Sequence, residues 1–248
     1  MSCLKYFFVA LLASLGGLTL SSTADAGLQV TLTAGASSTT IIDGGAGDAD
    51  GLANNEIQVN SVTVGGYEFK VTLVATNSPG GGGIAFLDSG TNQIIDVGGG
   101  ATTVSIFASA NGFTDPSSPP DVYVFSGSTA QFNSATPNGN TADFSYNAYI
   151  DSTNGLSTSA AGDLVGTGSD SVSAPGNASV GETQVYTIAG TPYAINLALI
   201  ATFNEAGSSL DLDGTVKLSP VPEPATLAIW GLGAMGVLVA GRFRRKMA

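Results

Sequence analysis

The chain has no histidine, one cysteine and one tryptophan among its 248 residues. Without histidine, Ser-His-Asp and Cys-His constellations and imidazole zinc sites are excluded. The one thiol, Cys3, precedes the apolar core of the N-terminal segment, whereas a lipoprotein cysteine follows that core, so it is not a lipidation site. A chain processed after that segment has no thiol, no disulfide and no thiolate metal site. Charge is scarce too, at 10% of residues against the usual quarter. Positive charge is scarcest. Residues 27–219 hold seventeen Asp and Glu but only Lys70 and Lys217, a net charge of −15. Such a region cannot neutralise phosphates, which excludes a nucleic-acid partner.

The catalytic groups that remain are carboxylates. Glycoside hydrolysis needs two of them facing each other across a cleft. With seventeen acids, pairs are inevitable, so their presence is no signal. Clefts of such enzymes are also rich in exposed aromatics, and the only tryptophan, Trp230, lies in the last segment. The expectation is a protein that is not an enzyme, with no required cofactor.

What is present begins with a secretory signal over residues 1–26. Lys5 supplies the positive start, residues 6–20 are the apolar centre, and Ala24 and Ala26 are the small residues a signal peptidase reads. Cleavage is expected before Gly27, with the secretion machinery and signal peptidase as partners. From Leu28 apolar alternation replaces the apolar run. Tyr67, Phe69, Val71 and Leu73 alternate with Glu68, Lys70 and Thr72, after a Gly65-Gly66 pair suited to a two-residue hairpin. Phe144, Tyr146, Ala148 and Ile150 follow the same period, as do Ile195, Leu197 and Leu199. The cleanest case is Leu210, Leu212, Val216 and Leu218 against Asp211, Asp213, Thr215 and Lys217. Period 2 predicts strands with one buried and one wet face, as in antiparallel sheets. About 190 residues suffice for one such core. The fold expected for residues 27–219 is all-β, an antiparallel β-sandwich of ten or so strands, jelly-roll-like, between a signal helix and a single C-terminal transmembrane helix. Loops are expected over 77–83 and 115–121, and the Ser/Gly/Ala-rich stretch 152–179 reads as a long surface loop rather than edge strands.

One loop carries candidate ligands. Asp43, Asp48 and Asp50 lie on a Gly-rich stretch, and hard oxygen donors on such backbone suit Ca²⁺. The spacing departs from the EF-hand: with Gly51 as the turn glycine, the first ligand position is Ala46 and the bidentate position is Ile57. Asp211 and Asp213, on one side of a strand, are a second, weaker pair. Turn-forming, solvated Asp is the alternative to calcium for both.

The best-specified stretch is 220–248. Pro222, Glu223 and Pro224 hold the chain extended, because the prolines remove two backbone donors. Residues 225–241 are apolar without charge or proline, and at 1.5 Å per residue they reach about 25 Å, enough for a thin hydrocarbon core. Arg242, Arg244, Arg245 and Lys246 follow, marking a cytoplasmic end. Pro-Glu-Pro, a short Gly/Ala/Leu-rich helix and a terminal Arg cluster, in this order, resemble the PEP-CTERM sorting signal of Gram-negative bacteria. The resemblance covers about the last tenth of the chain. It implies handling by exosortase, a transpeptidase-like membrane enzyme, and delivery to the cell surface or an exopolysaccharide matrix. The same tail is also associated with ice-binding proteins. Ice binding wants a flat repeated Thr array, of which Thr31-Leu32-Thr33 is a single instance. The function expected is an exported surface or matrix protein with a structural or adhesive ectodomain. The alternatives are a polysaccharide- or calcium-binding module and a carboxylate-dependent glycan hydrolase.

Overall fold

A computed structural model describes residues 27–77, 84–100, 102–116, 121–133, 141–204 and 207–221. Among them there are twelve strands and no helix. They are β1 (Leu28–Ala34), β2 (Ser37–Ile42), β3 (Glu56–Val64), β4 (Tyr67–Asn77), β5 (Ala85–Asp96), β6 (Thr102–Phe113), β7 (Asp121–Asn133), β8 (Thr141–Asp151), β9 (Asp163–Ser173), β10 (Gly176–Thr187), β11 (Tyr193–Phe203) and β12 (Ser209–Pro220). They form two six-stranded sheets, in the orders β2-β1-β6-β11-β8-β9 and β10-β7-β12-β5-β4-β3, and every pairing is antiparallel. The pairs β5–β12, β6–β11, β7–β10 and β8–β9 nest, each enclosing the next in sequence, and β1 to β4 extend the two sheets outward.

The expected all-β architecture and its buried faces are present. Inward residues of both sheets form one apolar core. Phe203 of the first sheet reaches across to Tyr67 and Phe132 of the second, with ring centroids 5.3 and 6.4 Å apart. The Gly65-Gly66 hairpin forms between β3 and β4. Both glycines have positive φ, 56° and 86°, which a primed turn requires. The segments expected as the two flanking helices, 1–26 and 222–248, lie outside the described residues, as do most of the loops expected at 77–83 and 115–121.

The stretch 152–179 corrects the expectation. Only its first part is a loop. From Asp163 it is β9, and from Gly176 it is β10. The alternation is hidden because the inward positions are small. Gly168 faces Tyr146 and Gly166 faces Ala148 across β8–β9. A Cβ on Gly168 would stand 2.7 Å from the Tyr146 ring, and one on Gly166 would overlap the Ser126 side chain. The large neighbour fills the space that an apolar side chain would otherwise announce.

The loop that remains, 152–162, lies over the outer face of the first sheet. Gln29 Nε2 donates to Ser157 O at 2.6 Å, Ser157 N to Ser109 Oγ at 3.0 Å, and Asn196 Nδ2 to Ala161 O at 2.9 Å. Asn111 Nδ2 donates to Asn154 O at 3.1 Å. Gln29, Ser109 and Asn196 are therefore buried although they point away from the core. The simple rule of one dry and one wet face fails on β11, which is buried on both sides over most of its length.

The two sheets share their ends. At one, β12 finishes at Pro220 beside Val122, β10 finishes at Thr187 beside Asp121, and β11 begins at Tyr193 after a short connection. On the first sheet, β6 finishes and β1 begins there, with Gly27 bonded to Asn111 in both directions at 3.0 Å. The first described residue and the last, Val221, thus leave the same end. Val221 N donates to Asp121 O at 3.1 Å, so the chain is held in place up to the start of the tail.

Candidate functional site

Of the residues singled out from sequence, Ala24 and Ala26 precede the described residues, and Pro222, Glu223, Pro224, Arg242, Arg244, Arg245 and Lys246 follow them. Gly27, expected to start the processed chain, is packed so closely that a Cβ would lie 2.7 Å from Asn111 Oδ1. No helix among the described residues is long and apolar enough to cross a membrane, and 225–241 lies outside them.

The acidic loop between β2 and β3 is built by its own carboxylates. Asp43 accepts Asn55 N at 2.8 Å and Asn54 N at 3.3 Å. Asp48, nearly buried, accepts Gly44 N at 2.9 Å through one oxygen and Gln58 N at 3.0 Å through the other. Asp50 accepts Leu52 N at 3.0 Å and Asn54 Nδ2 at 2.9 Å. Short polar side chains commonly satisfy turn backbone in this way. Among the described residues, no three His, Cys, Asp or Glu are gathered so as to hold a metal ion, so Asp43, Asp48 and Asp50 do not converge.

A different surface has the shape of a binding site. The outer face of the second sheet carries three shallow depressions of about 480, 540 and 460 Å³. The first and second share Asp88 and Thr215, and the second and third share Thr129, Ser179 and Asp213, so they join into one oblique trough. Its middle exists because Gly127 of β7 and Gly181 of β10 are directly paired and both lack side chains. One end is apolar, with Ile84 and Phe86, and the other is polar, with Gln131, Asn177 and Asp211.

Aromatic groups border it. Tyr123 and Phe125 project from β7 with rings 6.3 Å apart. Lys217 stands between Phe125 and Phe86 in the strand register. Among the described residues the one ion pair is Lys70–Glu68 at 3.9 Å, which leaves Lys217 without one.

Burial raises the carboxyl pKa of both Asp88 and Asp213. A hydrogen bond with Thr215 opposes the shift at Asp88. At Asp213 one with Thr129 opposes it, and the charges of Asp88 and Asp211 add to it. Asp213 Oδ1 is buried with no hydrogen-bond partner among the described residues. The trough thus offers hydroxyls, amides and carboxylates, which suit a hydroxyl-rich ligand. It is open rather than cleft-like.

Sequence reasoning found Asp211 and Asp213 but missed Asp88 and the glycine pair. An isolated glycine inside a strand is the available signal, since it weakens the strand unless something approaches closely. Nothing local indicates that two such glycines meet.

Comparison with known proteins bears mainly on the tail. Residues 220–246 match the family model described as the PEP-CTERM protein-sorting motif, so the chain carries that motif at its C-terminal end. No curated protein matches the chain. Among solved structures, an arabinose-bound α-L-arabinofuranosidase is similar at 10% identity over 71% of this chain, with a TM-score of 0.28. The chain spans about a quarter of that structure's length, 27%, and a likeness this low carries no argument about fold or activity.

Proposed function

We propose that this chain is an exported surface or extracellular-matrix protein that its C-terminal motif delivers to an exosortase-like membrane enzyme, and that its ectodomain acts by adhesion rather than catalysis. The observation that carries this reading is the sorting motif, which starts at residue 220, the last residue of β12. The address thus follows the folded body without a linker. In this reading residues 1–26 are a signal peptide removed before Gly27. Residues 225–241 hold the protein in the inner membrane during sorting, with Arg242 to Lys246 on the cytoplasmic side. The nested strand pairing supports a jelly-roll description of residues 27–219. The test replaces Glu223 with Ala or deletes 242–246 and follows the protein in fractionated cells. Unchanged distribution and unchanged C-terminal processing would sink the sorting reading.

The trough favours one specific form of adhesion, a module for a linear, hydroxyl-rich polysaccharide. Its elongated outline, bordering aromatics and paired glycines support this, since aromatic faces cover sugar C–H surfaces while polar neighbours bond the hydroxyls. Asp88, Asp211 and Asp213 favour a neutral chain over an anionic one. A glycan array with the processed protein, run with and without calcium, tests it. Binding to neutral linear glycans that Gly127→Leu abolishes is expected. No binding to any glycan sinks the reading. The calcium reading of Asp43, Asp48 and Asp50 requires a calcium-dependent rise in melting temperature, because an ion held only by the folded loop stabilises the folded state.

A further inference from the structure

Eight large apolar side chains are exposed among the described residues, and seven of them gather at the end of the sandwich from which the tail departs. On the second sheet these are Tyr123 and Phe125, within the first five residues of β7, and Val185, paired with Tyr123 near the end of β10. On the first sheet they are Ile42, the last residue of β2, and Leu164, the second of β9. Leu52 lies in the loop between β2 and β3. Leu156 lies beside Gly27, whose Cβ would meet it at 3.3 Å. Only Val97 is at the opposite end, after β5. They form a rim around the exit of the chain rather than one patch, and period-2 alternation does not require that distribution. Scattered exposed apolar residues need no explanation, but their concentration at one end does.

The tail says what lies against that end. Val221 is still bonded to Asp121. Residues 222–224 then separate it from the apolar run beginning at 225, and three extended residues span at most about 11 Å. With the run in a bilayer, this end of the sandwich is held within reach of the headgroup layer, at high effective concentration. Tyrosine suits that layer, and Phe and Leu side chains gain burial at its boundary with the acyl chains. We propose that, while the tail is in the membrane, the ectodomain stands end-on with this rim seated in the lipid headgroups. The proposal rests on the anchoring read from the tail. The contact is apolar, not electrostatic, because a region of net charge −15 is repelled by anionic lipid. Standing end-on leaves the polar half of the trough, toward Gln131 and Asn177, open to a ligand.

The experiment uses the full chain in phosphatidylcholine vesicles whose acyl chains carry bromine, a contact quencher of tryptophan. Trp230→Phe removes the native indole. Single reporters Phe125→Trp and Leu52→Trp are then compared with Val97→Trp at the far end. The expected result is several-fold stronger quenching of the first two, weakened when phosphatidylglycerol replaces part of the phosphatidylcholine. If the chain floats with the vesicles and all three reporters are equally unquenched, anchoring stands and the end-on contact is overturned. A chain that does not float overturns both. Shielded but unquenched rim reporters that become exposed in discs holding one chain each would indicate a second copy of the protein, and would also overturn the lipid contact.

Discussion

The outer faces of the two sheets are built by the same alternation, yet one is covered over the half beneath the 152–162 loop and the other is open. On the first sheet the 152–162 loop accepts hydrogen bonds from Gln29, Asn111 and Asn196, donates one to Ser109, and buries the part of the face beneath it. On the second no connection among the described residues crosses the face, and Asp88, Thr129, Gln131 and Asp213 border an open trough. The difference shows that a polar residue facing outward from a strand is not thereby a surface residue. Its role depends on whether a connection returns over it. The covered face holds the fold together, and the open face is available to a ligand.

The largest effect tests what the two faces share. Phe203 packs against Tyr67 and Phe132 between the sheets. Phe203→Ala should cost about 3–5 kcal/mol in denaturant unfolding, in one transition that includes both sheets. Separate transitions would mean that the two faces belong to independent units.

The covered face should be next. Asn196 is fully buried and donates to Ala161 O. Asn196→Ala should cost about 1–3 kcal/mol by leaving that carbonyl unpaired. Amide exchange of residues 154–161 should accelerate, while the strands of the second sheet keep their protection. A loss below the error of the measurement would mean that the loop does not hold the face.

A pH series separates the faces through Asp88 and Asp213. Burial raises both folded-state pKa values. The folded protein therefore binds these protons more tightly than the unfolded chain does. Stability from this source is complete below the ordinary carboxylate value of about 4 and is lost as pH rises through the raised values. The Asp88→Asn, Asp213→Asn double variant should melt slightly above the parent at neutral pH, and the gap should close as pH falls toward 4. A gap that widens on acidification would contradict the direction of the shifts. Both groups keep partial contact with solvent, which screens their charges, so the effect is small.

The smallest expected change is on the open face itself. Gln131→Ala should alter stability by less than about 0.5 kcal/mol, like most exposed substitutions. Retention on a neutral polysaccharide column should nevertheless fall. If stability drops as much as with Asn196→Ala, the open face is as structural as the covered one and the contrast fails.

By itself the sequence determined the chemistry that is missing, the β class and the tail. Those signals are local. Absence of histidine needs no fold, period 2 is read along one strand, and Pro222, Glu223, Pro224 and the basic cluster are adjacent in the chain. Even locally the reading failed where size replaced polarity as the inward signal. Gly166 and Gly168 give β9 no apolar stripe because Ser126 occupies the space at the first and Tyr146 at the second. Asp43, Asp48 and Asp50 are close in sequence, yet each is spent on a different set of loop N–H groups. Only the tertiary structure decided that Gly127 meets Gly181, that the 152–162 loop covers one face and not the other, and that the exposed apolar residues ring the end where the tail leaves. Each of these joins residues distant along the chain, and the nested strand pairing that brings them together leaves no trace in the local pattern of any one strand.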